Sequence, residues 1–393
     1  MGLLAVITHR SVIVVLITFL ATGCSTLRLD HRNAALPIWS TEGETPLRHH
    51  ATPNRITPPL DIKWDFNGGA GFGTVSPLIV GDVIFVANLK GEVHAIDIES
   101  GRRVGRAEFG DSIEGTPVYA DGTLVIPIAW GGVALYAHNL LQGDRKWRVR
   151  GAPVSSGLVV YDGTVIAGDV EGIVRAYSLS DGEELWSTAL DSTSSIFSTP
   201  TLVGERLIAA SDNGRVVALD VSSGSIDWSV DAGAPVHVSL AADEAAVYAA
   251  TTRGRILALD IASGATRWEY LLPGEDVYFS APAIGEWEIV FGASDGIVRA
   301  LNVEDGSQRW TADVSDAVTA PPVLTDHLVY VGTMGGNVVA LDRAEGTSSW
   351  QTSLEGRVKS AFAVKDSRLV VLAEPRLVYL LEPSSDAYAN HEE

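Results

Sequence analysis

One arrangement recurs along this chain: an Asp-type residue, a glycine four positions later, and a tryptophan four positions after that. It stands at Asp260, Gly264 and Trp268, and again at Asp220, Gly224 and Trp228, at Asn302, Gly306 and Trp310, and at Asp342, Gly346 and Trp350. A self-similar unit of about forty residues constrains the fold more than any other feature, because such a unit buries its apolar faces on its neighbours.

Aligned on the turn residue, the copies begin at Asp97, Asn139, Ser178, Asp220, Asp260, Asn302, Asp342 and Glu382, with spacings of 42, 39, 42, 40, 42, 40 and 40. The first seven are followed four residues on by Gly101, Gly143, Gly182, Gly224, Gly264, Gly306 and Gly346. A short polar side chain starts a turn by accepting from nearby backbone amides, and glycine supplies positive φ at its end. The motif is therefore a hairpin between two strands; a calcium loop would need a longer series of oxygen ligands.

Two further strands precede each hairpin, for example 198–203 with 206–210 and 319–324 with 327–332. Four strands per forty residues make one propeller blade. Proline at the start of the first strand, as at Pro200 and Pro321, sacrifices no ladder bond. The tryptophan belongs to the fourth, outer strand and is present at Trp147, Trp186, Trp228, Trp268, Trp310 and Trp350. The first unit instead has Gly105, among Arg102, Arg103 and Arg106. Glu382 lies too near the C-terminus to be followed by an outer strand, and the missing strand is found at residues 60–66 around Trp64. The expectation is an all-β, eight-bladed β-propeller of four-stranded antiparallel blades over residues 60–382. It is closed by pairing the N-terminal strand around Trp64 with the C-terminal hairpin strands, which leaves no open edge. Trp64 and the six motif tryptophans are expected to pack one blade on the next.

Composition narrows the partners. With 28 Lys and Arg against 49 Asp and Glu, the chain carries a formal charge of −21, which disfavours a polyphosphate partner. No nucleic acid is expected. The single cysteine, Cys24, rules out an intramolecular disulfide.

Residues 1–23 read as a secretory signal peptide: His9 and Arg10, then an apolar run over 11–20, then small residues at 21–23. Leu20-Ala21-Thr22-Gly23-Cys24 resembles a bacterial lipobox and marks Cys24 for lipidation. By the same resemblance, Ser25 directs such a protein to the outer membrane rather than the inner one. Several acyl chains, each methylene worth about 0.8 kcal/mol when buried, give a stable anchor. Residues 24–59 are expected to form a lipidated cysteine and an extended, Pro-rich tether, with Trp39 pinning it to the folded body. His31, His49 and His50 lie in that tether without a carboxylate or thiolate at ligand spacing, so no metal site is expected. Residues 383–393 form a C-terminal tail.

The repeat Ala-Leu-Asp-x-x-x-Gly-x-x-x-Trp resembles the pyrroloquinoline-quinone-type (PQQ-like) propeller repeat, and the match extends over residues 60–382. A lipoprotein made of eight such blades and nothing else resembles the BamB family. That resemblance implies a non-enzymatic, periplasm-facing scaffold of the outer-membrane β-barrel assembly machinery that docks on the barrel-forming subunit BamA. The family's docking loops correspond here to residues 191–198, which end in an apolar tip without an arginine, and to residues 231–237, where Asp231 is the only acid. Its docking residues therefore do not carry over one by one.

Dehydrogenases with similar blades use calcium, a catalytic aspartate and often a cysteine pair. One cysteine, spent on the leader, and short connections argue against that chemistry. His94, His138, His237 and His327 fall on separate blades with no nucleophile beside them. The glycine run 67–73 leads into a strand and not a helix, so it lacks a dinucleotide loop's phosphate-binding end. No catalytic residue and no cofactor are expected. Candidate partner-binding loop tips are Ile196 and Phe197, Tyr278 and Phe279 next to Asp276, and Arg357 with Lys359; each could equally begin the next blade's first strand. Two alternatives stay open: a quinone- or small-molecule-binding propeller with its ligand at the channel mouth, and a scaffold for another cell-envelope process.

Overall fold

Strands fall where the forty-residue period places them. A computed structural model describes residues 26–30, 33, 37–190, 194–272 and 277–385. The signal segment, Cys24, His31, Asp276 and the C-terminal tail from residue 386 lie outside the described residues. Eight antiparallel sheets follow one another around a central axis. Blade 4 shows the plan, with Thr201–Val203 innermost, then Arg206–Ala210, Arg215–Asp220 and the outer strand Ile226–Asp231.

The two middle strands of each blade are largely buried, and mostly apolar, on both faces. Val-Ile-Phe-Val-Ala at 83–87 and Ala-Val-Tyr-Ala-Ala at 246–250 are buried at every position. Such strands must be covered from both sides. The core is accordingly a ring of clusters, most spanning two neighbouring blades, as Ile208, Val216 and Trp228 of blade 4 meet Val247 and Leu257 of blade 5.

The hairpin turns form as their sequence requires. Asp260 Oδ1 accepts from the amides of Ala262 and Ser263, and Gly264 N donates to Asp260 O at 2.8 Å. Gly264 has φ +72°, and a Cβ there would lie 2.7 Å from the Trp228 ring of the preceding blade. Glycine thus serves two needs at once, the turn and a seat for the indole. Each seated indole also donates to the carbonyl one residue beyond the next blade's turn position: Trp64 to Ile98, Trp147 to Leu179, Trp186 to Val221, Trp228 to Ile261, Trp268 to Val303 and Trp310 to Arg343. Trp350 packs against the cluster of the last blade.

Ring closure is direct. Leu60–Asn67 runs antiparallel to Leu377–Pro383 with Trp64 opposite Leu380, completing blade 8.

The described part of the N-terminal segment does not run free as an extended tether. Pro37–Trp39 adds a fifth strand to blade 1 beside Leu78–Val80. From there the chain circles the channel and meets the innermost strands in order. Tyr119 N donates to Ser40 O, Leu202 N to Pro46 O, Ala242 N to Leu47 O, Ile284 N to His49 O and Leu324 N to His50 O. The reason is hydrogen-bond accounting. Innermost strands present unpaired backbone groups to the channel, and buried groups of this kind need partners. Prolines remove donors from the circling segment but leave its carbonyls free to accept.

Candidate functional site

Alternation of strand direction gives the propeller two faces. One carries the Asp–Gly hairpin turns. The other carries the connections between blades and the loops between second and third strands, and the central channel opens on this connection face. Its mouth is lined by Thr74, Thr116, Gly157, Thr199, Ser239, Ala281, Pro321 and Ala361, all from segments that lead into innermost strands. The enclosed volume is about 90 Å³. A shallower cleft of about 340 Å³ continues from it past His237, Thr251, Tyr278, Met334 and Lys359.

Glu42, from the circling segment, forms the channel floor. Its carboxylate accepts from Thr199 Oγ1 at 2.9 Å and from Ser239 Oγ at 2.7 Å. Beneath it Arg48 is buried, with Nη1 3.7 Å from Glu42 Oε2. The guanidinium also donates to Pro200 O, Leu158 O and Glu42 O. Burial lowers the Arg48 pKa to about 10, against the attraction of Glu42. His50 is fully buried, and burial pulls its pKa down to about 4; Glu42 opposes that shift while Arg48 and His49 add to it. One end of the channel is therefore filled by the chain itself. No group of three or more His, Cys, Asp or Glu among the described residues could hold a metal ion.

The loop tips singled out from sequence divide into two kinds. Ile196 is 0% exposed and Phe279 4%. Ile196 lies over Gly168, where a Cβ would come within 2.3 Å of its side chain, and Phe279 packs on Phe291 at 4.8 Å between ring centroids. Phe197 and Tyr278 stay 40% and 51% exposed beside the mouth. Phe197 meets the ring of His237 edge-on, and His237 in turn pairs with Asp212. Tyr278 is held by its backbone, which exchanges hydrogen bonds with Ser294. Arg357 is exposed, and Lys359 lines both the mouth and the cleft.

Sequence reasoning passed over Trp130. At 63% it is the most exposed of the large apolar side chains among the described residues, and its indole donates to Glu114 Oε1 at the channel mouth. The available signal was its register. It stands nine residues before the turn residue Asn139, in the loop between second and third strands, where no blade-packing role exists.

A family model described as "Outer membrane protein assembly factor BamB" matches residues 38–270 and 294–385. The outer membrane protein assembly factor BamB of Burkholderia pseudomallei (strain K96243) is 27% identical over 345 residues, covering 83% of this chain and 89% of its own. Among solved structures, BamB from Moraxella catarrhalis aligns with a TM-score of 0.66 at 19% identity, covering 82% of this chain and 99% of that one. Quinohemoprotein alcohol dehydrogenase from Comamonas testosteroni aligns with a TM-score of 0.76 at 15% identity, covering 92% and 84%. At such identities the two structures speak for the fold alone.

Proposed function

The chain belongs to the family of outer membrane protein assembly factor BamB, and from that premise we propose that it is a non-enzymatic scaffold in outer-membrane β-barrel assembly. It is anchored to the outer membrane through lipidated Cys24, faces the periplasm, and docks on a BamA-like barrel-assembly subunit. The observation that carries the docking face is the grouping of Trp130, Phe197 and Tyr278, three exposed aromatics, around one channel mouth. Aromatic anchors on rigid loops are what protein interfaces use at their hot spots. Arg357 and Lys359 supply positive charge on the same face.

Calorimetric titration of the BamA-like subunit's periplasmic domains into the wild-type protein and into a Trp130→Ala, Phe197→Ala, Tyr278→Ala triple variant tests this. Each anchor lost costs ≥ ~2 kcal/mol if it is a hot spot, so binding should fall by well over a hundredfold. Equal affinity for both proteins would move the docking site elsewhere. For the anchor, Cys24→Ser should release the protein from membranes, and continued membrane association would remove the lipid reading. The chain is proposed to need no quinone. Pyrroloquinoline quinone with calcium should leave the melting temperature unchanged, whereas a rise by mass action would reopen the enzyme reading.

A further inference from the structure

Blade 1 lacks the outer-strand tryptophan, and the structure shows what takes its place. Residues 26–30 lie across the seam between blades 1 and 2. Thr26 O and Leu27 Cα approach Gly105, where a Cβ would meet them at 3.1 and 3.2 Å. Thr26 and Arg28 cover Gly143, the glycine that in most other blades seats an indole. Leu29 N donates to Leu140 O at 2.7 Å, the carbonyl one residue beyond the turn position that a tryptophan would otherwise hold. His138 donates to Leu27 O at 2.8 Å and Arg28 Nε to Leu141 O at 2.9 Å, while Leu27 and Leu29 are buried in the seam. The polypeptide thus fixes its own N-terminal segment to the rim of two particular blades.

That rim has an unusual charge. Outer strand Asp144–Arg150 carries Arg145, Lys146, Arg148 and Arg150, and segment 102–108 of blade 1 carries Arg102, Arg103 and Arg106. With Arg28 these are eight cations against three carboxylates on the same segments, Asp30, Glu108 and Asp144, a surplus of five in a chain of charge −21. None of the other six outer strands has a net positive charge. Arg106 pairs with Glu92. Among the described residues no carboxylate lies within ion-pair distance of Arg102, Arg103, Arg145, Lys146, Arg148 or Arg150, and every one of these six side chains belongs to an exposed residue. Val104, 44% exposed, lies between two of the arginines.

We propose that the outer strands of blades 1 and 2 form a binding surface for anionic phospholipid headgroups, so that the propeller rests on the membrane through this rim. The reason for a membrane there rests on the lipid reading of Cys24. Two residues of chain reach at most about 7 Å, so an anchor at Cys24 would hold this rim close to the headgroups. That is within a Debye length of roughly 8 Å at physiological salt, where surface charges still act. Each Lys or Arg near an anionic surface strengthens attachment by about fivefold.

The test removes the anchor, so that it reports on the rim and not on lipidation or on docking to a partner protein. Protein beginning at residue 24 and carrying Cys24→Ser is sedimented with vesicles of phosphatidylcholine alone or containing phosphatidylglycerol. Binding should appear with phosphatidylglycerol only and weaken with added salt. It should fall at least tenfold in an Arg145→Gln, Lys146→Gln, Arg148→Gln, Arg150→Gln variant whose melting temperature is unchanged. An Arg206→Gln, Arg215→Gln variant of blade 4 should bind as wild type. Equal binding to both vesicle types, no binding to either, or an unaffected four-site variant would overturn the proposal.

Discussion

At the scale of single residues, the driest chemistry lies under the channel floor. Removing Arg48 leaves Glu42 as an uncompensated buried charge, and breaking such a pair costs about 3–5 kcal/mol. Arg48→Ala should therefore lower the melting temperature by several degrees; an unchanged melt would mean the circling segment adds nothing to stability. His50 sets a pH dependence. Its folded pKa, about 4, lies below the ordinary histidine value, so its contribution is fully present above pH ~6.5. As pH falls from there toward 4, the unfolded chain takes up a proton that the folded chain refuses. Stability then declines, by roughly 3 kcal/mol for a shift of this size. His49, His94 and His138 are shifted in the same direction by burial and steepen the loss. Stability measured by denaturant between pH 7 and 4 should fall, and His50→Leu should flatten the slope; parallel curves for the two proteins would assign the loss to other groups. The burial of neither residue was legible in the sequence. Arg48 and His50 stand in a run rich in proline and polar residues, and the groups that bury them come from positions more than a hundred residues away.

At the scale of elements, the hairpin with its tryptophan was legible because everything it needs is local. The turn residue, the glycine and the indole lie within nine positions, and only the seat on the next blade is remote. Trp228→Ala removes a buried indole and its hydrogen bond to Ile261 O, at a cost of about 3–5 kcal/mol. A thermal melt should register that loss, and no change would mean the seam tolerates a void. The substitute at the blade 1–2 seam was half legible. Gly105 announced a missing tryptophan, but nothing around Leu27 says that a backbone amide would fill the position. Gly105→Trp should displace residues 26–30, seen as faster hydrogen exchange at the Leu29 amide. Unchanged exchange would show that the segment and an indole can share the seam.

Taken as a whole molecule, the ring follows from counting turns. Eight turn positions with an orphan strand at one end and an orphan hairpin at the other admit closure through Leu60–Asn67, and Trp64 stands in the place of the missing eighth outer-strand tryptophan. The channel's closed end and its open mouth were not countable. They depend on how the segment before residue 60 winds inside the ring, and Trp130 gained its meaning only once the connection face was defined. On the proposals above, two regions divide the work: the cationic outer strands of blades 1 and 2 meet the membrane, and the aromatic-rimmed mouth on the connection face meets a protein partner. The most direct measurement of that account is site-specific photo-cross-linking in intact cells, with the cross-linker at position 197 and, as control, at position 206 on the opposite face. An adduct with the barrel-assembly subunit from position 197 and none from position 206 is the expected result. Adducts from position 206 alone, or none from either with normal levels of outer-membrane proteins when the gene is deleted, would contradict it.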